Sequence, residues 1–211
     1  MYEVQRAVLG PIATNGYVVW HPDSLDAVLV DPGPGPGLLL HHARSVQVQA
    51  ILITHAHWDH IAGLAEVAGT YAVPILIHAL EQDWLTDPAL NRSSVNPALS
   101  GGPVTGPAAT GLVADGEQLS FGRLTLTVAH LPGHSPGHVA YLGPDEAFSG
   151  DLLFETGVGR TDIPGGDSDT LLRSLGRFRT LAQGKRIHPG HGRPFTIGQH
   201  EPTPPVGGPL R

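Results

Sequence analysis

The first half of the chain alternates short apolar runs with turn-forming residues. Runs rich in Val, Leu and Tyr that are separated by Pro, Gly, Asn or Asp are typical of strands, and a continuous apolar run is typical of a strand buried on both faces. Ile61, Leu64 and Ala68 recur at helical spacing, which predicts a helix. The pattern therefore predicts strands at residues 3–9, 17–20, 27–30, 50–54 and 73–77, and helices at residues 38–45 and 61–69.

The second half repeats this order of strands followed by a helix. We predict strands at residues 118–121, 124–129, 138–142, 147–149 and 185–188, and a helix at residues 168–182. Residues 87–110 show little periodicity and are too many for an ordinary connection, so we predict a loop over a functional site. Asn91, Arg92 and Ser93 in this loop are either substrate contacts or, as the favoured interpretation, surface residues. We predict one domain at residues 1–199 and, because of its prolines, a disordered tail at residues 200–211.

Composition narrows the classes of function. The 211 residues include no cysteine, which excludes disulfides, thiolate ligands and cysteine nucleophiles. A net charge of −7 with 12 Lys and Arg residues gives no basic surface for nucleic acid. No apolar run approaches the roughly 18 residues that cross a bilayer, and the N-terminus does not resemble a signal peptide. We therefore expect a cytoplasmic protein that acts on a small molecule and binds neither nucleic acid nor membrane.

Histidine and aspartate are concentrated at one point of the chain. Four potential metal ligands lie within six positions, directly after the predicted strand at 50–54: His55, His57, Asp59 and His60. The two histidines that are two positions apart point to the same side of an extended segment, and the other two ligands lie in the first turn of the following helix. Packing alone does not explain such a density, so the pattern predicts a metal site.

Three further candidate ligands follow later strands, and a glycine directly precedes each of them. They are His134, Asp151 and His191. Glycine allows the backbone to turn tightly and to approach a crowded centre closely. A set of histidines and carboxylates without sulfur suits zinc, with iron and manganese as alternatives. Because a structural zinc takes only four ligands, a set of seven favours two divalent ions.

The ligand set also predicts a reaction. A metal ion lowers the pKa of bound water from 15.7 to about 7, so a metal-bound hydroxide is a nucleophile near neutral pH. The predicted function is therefore a metal-dependent hydrolase. The non-enzymatic alternative is a metal-binding or structural module, which would have a closed ligand shell.

In their order along the chain, these motifs resemble the metallo-β-lactamase-fold superfamily over about residues 3–197. The resemblance implies an α+β fold, a four-layer αββα sandwich with the metals at one edge of the two sheets. It also implies a ligand assignment, in which each metal has three ligands of its own and one ligand is shared. The first metal has His55, His57 and His134, the second has Asp59, His60 and His191, and Asp151 bridges them.

Residues 149–167 look like the short bacterial relatives of hydroxyacylglutathione hydrolases (glyoxalase II). This resemblance implies a thioester substrate such as S-lactoylglutathione. Arg160 falls where those enzymes have a basic residue that binds glutathione, although an ion pair between Arg160 and Asp162 is the alternative. Asp59 is the candidate catalytic residue, because it can also orient the hydroxide. From the sequence itself, Asp31 is either a turn residue or a support for a ligand histidine, and His138 is expected to hydrogen-bond within its loop.

Other activities of the same fold remain open. Mono-iron glutathione-persulfide dioxygenases resemble this fold and share the stretch at residues 159–162, and lactones or other esters are alternative substrates. True β-lactamases are less favoured, because they are secreted and this chain shows no signal peptide. We also expect a small homo-oligomer.

Overall fold

The computed structural model describes residues 1–95 and 97–197, and its main feature is a pair of six-stranded mixed sheets. The strand order is β1-β2-β3-β4-β5-β6 in the first sheet and β14-β13-β10-β9-β8-β7 in the second. The first sheet contains β1 (Glu3–Leu9), β2 (Thr14–Trp20), β3 (Asp26–Val30), β4 (Gln47–Leu52), β5 (Ile75–His78) and β6 (Gly111–Val113). The second contains β7 (Gln118–Phe121), β8 (Leu124–His130), β9 (Val139–Leu142), β10 (Glu146–Gly150), β13 (Arg186–Pro189) and β14 (Phe195–Thr196).

Short helices and one long helix surround the sheets. The helices are α1 (Gly37–His42), α2 (Trp58–Ile61), α3 (Leu64–Tyr71), α4 (Pro97–Ser100) and α5 (Ser168–Leu181), with 3-10 turns at Ala43–Ser45 and Ala79–Leu85. A small hairpin of β11 (Leu153–Phe154) and β12 (Gly157–Val158) lies outside both sheets. Within the described part of the chain, no helix has the length and apolar character to cross a membrane.

Alternation along the strands produces the layers. Tyr17 and Val19 of β2 belong to a core that also contains Phe148 of β10, whereas Val18 packs with α1 residue Leu39 on the outer face of the first sheet. On the outer face of the second sheet, residues of β8, β9 and β13 pack against α5. Because side chains alternate between strand faces, each sheet contributes to an inner and an outer core. The expected αββα sandwich is confirmed.

Two differences from the predicted elements lie next to the candidate ligands. The predicted helix at 61–69 is divided into α2 and α3, since Gly63 packs against a neighbouring loop and its N–H donates to the Pro32 carbonyl (2.8 Å). A Cβ on Gly63 would lie only 2.3 Å from the Gly33 carbonyl oxygen. The predicted strand at 50–54 ends at Leu52, so residues 53–57 form a connection without regular secondary structure. The predicted tail at 200–211 lies outside the described residues.

Candidate metal centre

The first four ligands lie where β4 gives way to α2. His57 is the N-cap residue of α2 and has extended backbone angles (φ −68°, ψ 145°). The chain therefore turns from an extended segment into a helix at this point, which directs His55 and the first-turn residues Asp59 and His60 to one region. All four ligand side chains are buried.

The topology of the second sheet brings later ligands to the same edge. β10 and β13 are parallel neighbours, so their carboxyl ends meet at one edge of the sheet. Asp151 follows β10 directly and His191 follows β13 by two residues. The remaining ligand, His134, lies in the connection between β8 and β9. An antiparallel bridge between Thr14 and His191 links this edge to the first sheet.

The structure brings all seven candidate ligands into one cluster. Three overlapping groups each contain ligand atoms within 4.8 Å of one another: His55–His57–His134, His55–His60–Asp151 and Asp59–His60–His191. Asp151 lies between the outer groups, because its Oδ2 is 3.6 Å from both His134 Nε2 and His191 Nε2. This is the position expected for a ligand that two ions share.

Unpaired polar atoms show that the cluster fits metal ions. In residues 1–95 and 97–197, His55 Nε2, His60 Nε2 and Asp151 Oδ1 are buried and lack a hydrogen-bond partner. His60 Nε2 lies 3.3 Å from Asp151 Oδ1, but the two atoms do not have hydrogen-bond geometry. Each buried polar atom without a partner costs about 1–3 kcal/mol. Divalent cations would satisfy these atoms, and histidine with carboxylate is a suitable donor set for them.

The candidate ligands differ in the direction in which their pKa values are shifted. Burial and neighbouring imidazoles lower the pKa of His55 well below its usual value, so this ring is the neutral form that binds metals. Burial opposes protonation of His60, but nearby carboxylates outweigh this effect and raise the His60 pKa well above its usual value. Burial alone would raise the pKa of Asp59, yet His60 and His191 lower it to about 2. Asp59 is therefore ionised at neutral pH.

Glycine before a ligand permits a close approach that a larger residue would block. A Cβ on Gly190, the residue before His191, would lie 2.2 Å from Asp151 Oδ1 and 2.7 Å from His60 Cε1. The position of this backbone between two ligand side chains therefore requires glycine.

Asp31 contacts a candidate ligand histidine, His60, and the backbone and side chain of Thr54. Its Oδ2 lies 2.9 Å from His60 Nδ1 and accepts a hydrogen bond from Thr54 Oγ1 (2.6 Å), and its Oδ1 accepts one from the Thr54 N–H (2.8 Å). Asp31 has a positive φ of 50°, which is uncommon outside glycine, asparagine and aspartate. The contact with Nδ1 leaves Nε2 of His60 to face the cluster.

Two further hydrogen bonds connect candidate ligands to neighbouring loops. His138 Nε2 accepts a hydrogen bond from the Asp151 N–H (3.1 Å), so His138 fixes the backbone of a ligand beyond its own loop. His134 Nδ1 lies 2.8 Å from the backbone carbonyl oxygen of Arg160. The carbonyl of Arg160 therefore orients His134, a contact that the sequence does not indicate.

Two buried residues beside the ligands were not identified from the sequence. Thr14 Oγ1 donates to Asp59 Oδ2 (2.7 Å). Glu81 is fully buried and accepts hydrogen bonds from the Ala56 N–H (2.6 Å), the Ser135 hydroxyl (2.5 Å) and the Gly137 N–H (2.8 Å). Burial raises the pKa of Glu81, while these donors oppose the increase. Glu81 thus connects the segment of His55 and His57 to the loop of His134.

The ligand cluster opens onto a cleft of about 450 Å³. Its lining combines five ligands with charged and apolar side chains: Ile12, His57, Trp58, Asp59, Arg92, Val95, Leu99, His134, Asp151, Arg160, Ile163 and His191. Arg160, the candidate substrate-binding residue, lines the cleft. It also forms the alternative ion pair, with Nε and Nη2 each 2.8 Å from a carboxylate oxygen of Asp162.

The loop that covers this cleft is more ordered than its composition indicates. Asn91 and Ser93 are fully buried, so their interpretation as surface residues is wrong. The side chain of Asn91 donates through Nδ2 to the backbone carbonyls of Trp84 and Val104. The backbone carbonyl of Asn91 accepts a hydrogen bond from the Trp58 N–H (2.9 Å). The loop is therefore attached directly to the metal-ligand segment.

Comparison with protein families agrees with this geometry. The metallo-beta-lactamase superfamily model matches residues 9–191, which span the whole ligand set. The chain belongs to the metallo-beta-lactamase superfamily. The resemblance recognised in the sequence is thereby confirmed, and the chain is a metallo-hydrolase of this superfamily.

Members of the superfamily with similar sequences span nearly the same length. The chain is 38% identical over 194 residues to the probable metallo-hydrolase YqgX of Bacillus subtilis (strain 168), covering 89% of each protein. It is 30% identical over 202 residues to the hydroxyacylglutathione hydrolase GloC of Haemophilus influenzae, covering 90% of this chain and 91% of the relative.

Two solved structures of the superfamily are also similar. The BLEG-1 B3 metallo-beta-lactamase is 40% identical, with a TM-score of 0.86 and coverage of 93% of this chain and 95% of that one. TTHA1623 in a di-iron-bound form is 36% identical, with a TM-score of 0.82 and coverage of 95% and 98%.

Proposed function

We propose that this chain hydrolyses thioesters such as S-lactoylglutathione at a two-metal centre, with zinc as the favoured metal. The observation that carries the proposal is a seven-ligand cluster, five of whose members line a cleft of about 450 Å³. The cleft is within the size range of small-molecule sites. Similarity to GloC, a hydroxyacylglutathione hydrolase, supports the thioester class.

Seven residues would hold the two metal ions. His55, His57 and His134 would hold one ion, and three other ligands would hold the second: Asp59, His60 and His191. Asp151 would hold both. The bound ions would polarise the carbonyl and activate water as the nucleophile.

Asp59 has a second role beside metal binding. It lines the cleft, and its charged state is secured by a pKa of about 2. The Thr14 hydroxyl holds its Oδ2 (2.7 Å), which fixes the rotation of the carboxylate. Asp59 is therefore suited to accept a hydrogen bond from the attacking water and to orient it.

The test measures S-lactoylglutathione hydrolysis and metal content on the same purified sample. We expect about two metals per chain and thioester cleavage, because seven ligands exceed the four of a single closed site. Asp59→Asn should lower kcat by at least about 100-fold. Asp169→Asn, an exposed change of equal charge on α5, serves as the control and should behave as the wild type. Full metal occupancy without cleavage would refute the thioester proposal.

β-Lactam hydrolysis is a second candidate, because one similar structure is that of a B3 metallo-beta-lactamase with a TM-score of 0.86. Both reactions are attacks of water on an acyl carbon, and the same centre can serve either. Comparing kcat/KM for S-lactoylglutathione and nitrocefin on one sample distinguishes the candidates. A larger value for nitrocefin would replace the thioester proposal with β-lactam hydrolysis.

A further inference from the structure

Arg92 places a positive charge in the cleft that forms no salt bridge with any of the described residues. Its side chain lines the cleft beside the metal ligands, and its Nη1 is buried with no hydrogen-bond partner in the described chain. Burial and the nearby Arg160 lower the pKa of Arg92, and Asp162 acts in the opposite direction. A partly buried cation without a paired anion is unfavourable in the free protein, so its position requires another explanation.

The backbone holds Arg92 in this position. Arg92 has a φ of 69°, in the left-handed region that a non-glycine residue adopts at a cost. The neighbouring residues on both sides, Asn91 and Ser93, are fully buried, and the Ser93 hydroxyl accepts the Val104 N–H (2.8 Å). Strained backbone that is fixed by its surroundings is frequent at binding sites, and here it presents a guanidinium to the cleft.

Arg160 has the opposite arrangement. Its Nε and Nη2 both donate to Asp162, and this pairing raises the Arg160 pKa. Asp162 is therefore the ion-pair partner of Arg160. Of the two arginines in the cleft, Arg92 is the one whose charge is available to a bound anion.

The other side chains of the cleft wall indicate the kind of substrate that can bind. Apolar side chains of Ile12, Val95 and Ile163 also line the cleft. Ile12 and Val95 are exposed, so a bound molecule can cover them. A substrate with an apolar stem and a negatively charged end would match the apolar wall and the positive charge of Arg92.

We infer that Arg92 binds an anionic group, a carboxylate, on the thiol portion of the substrate and thereby selects acidic thioesters. The inference rests on the proposed thioester hydrolysis, since it assigns the distal end of a substrate whose acyl carbon lies over the ligand cluster. Guanidinium and carboxylate form charge-assisted, often bidentate hydrogen bonds.

The experiment uses two thioesters that differ only in charge, 3-(acetylthio)propanoate and 3-(acetylthio)propanamide. The metal-loaded wild type should prefer the anion, and Arg92→Gln should lower the ratio of the two kcat/KM values by about 10- to 100-fold. Arg92→Lys, which keeps the charge, should retain part of the preference. Arg179→Gln makes the same charge change on an exposed position of α5 and should leave the ratio unchanged.

A binding measurement separates recognition from catalysis. The thioether 3-(ethylthio)propanoate cannot be hydrolysed, so calorimetry gives its Kd directly, and Arg92→Gln should weaken binding by the same factor. An unchanged ratio and Kd in Arg92→Gln, with metal content and melting temperature preserved, would overturn the inference while thioester hydrolysis stands. Loss of preference in Arg160→Gln but not in Arg92→Gln would also overturn it. Failure of the wild type to cleave either thioester would instead contradict the proposed function.

Discussion

Replacing Glu81 by glutamine should destabilise the protein by about 1–3 kcal/mol. Glu81 Oε1 accepts from Ser135 and Gly137, and Oε2 accepts from the Ala56 N–H. A glutamine side chain can keep its oxygen at the Oε1 position, but its amide NH₂ then faces the Ala56 N–H. One buried donor loses its acceptor, which costs about 1–3 kcal/mol. Glu81→Ala removes all three contacts and should cost more.

Urea unfolding of metal-free protein measures this effect without a contribution from metal binding. Glu66→Gln is the matched control, because Glu66 is exposed on α3 and its change should stay within about 0.5 kcal/mol. Since Ala56 lies between His55 and His57, Glu81→Gln should also weaken metal binding by about 10- to 100-fold, the usual cost of losing a group that orients ligands. Equal midpoints for the Glu81 and Glu66 variants would refute the reasoning.

The other predictions concern the ligand cluster. Asp31→Asn puts an amide beside His60 and Thr54, so we expect about 10- to 100-fold weaker metal binding in a chelator competition assay; unchanged affinity would contradict the supporting role. His191→Ala should lower the metal content measured by elemental analysis from about two ions to one per chain, and two retained ions would contradict the assignment. Gly190→Ala should abolish metal binding, because its Cβ would contact Asp151 at 2.2 Å. Gly176→Ala, whose Cβ would meet nothing within 4 Å in α5, should instead raise the unfolding free energy by about 0.5–1 kcal/mol.

The strands of the core could be predicted because each carries a repeated signal. β1, β7 and β8 lie within a residue of their predicted bounds, since several alternating or apolar positions define each strand. β6, β11, β12 and β14 have two or three residues each, which is too short for any periodicity. The break between α2 and α3 also has no signal in the apolar spacing, which continues across Gly63. The backbone of Gly63 packs against a neighbouring loop at this point.

The candidate ligands could be predicted because their chemistry is concentrated in short motifs. Four ligands follow one another in six positions, and the other three follow glycines after strands. The residues that form hydrogen bonds with the ligand segments belong to no such motif. Glu81 has the sequence of an exposed turn, Ala79–Leu85, and only the fold places its carboxylate between two ligand loops.

The reaction can be predicted from sequence motifs, whereas the substrate depends on residues that only the fold brings together. The metal cluster determines which bond can be attacked, and its ligands are found from sequence because each must be a histidine or an aspartate. The cleft wall determines which molecule is bound, and its side chains come from separate loops with no common motif. Arg92 and Arg160 are 68 positions apart in the sequence, and both are arginines in loops. The ion pair of Arg160 with Asp162 and the unpartnered Nη1 of Arg92 distinguish them, so the structure, and not the sequence pattern, indicates which arginine is available to an anionic substrate.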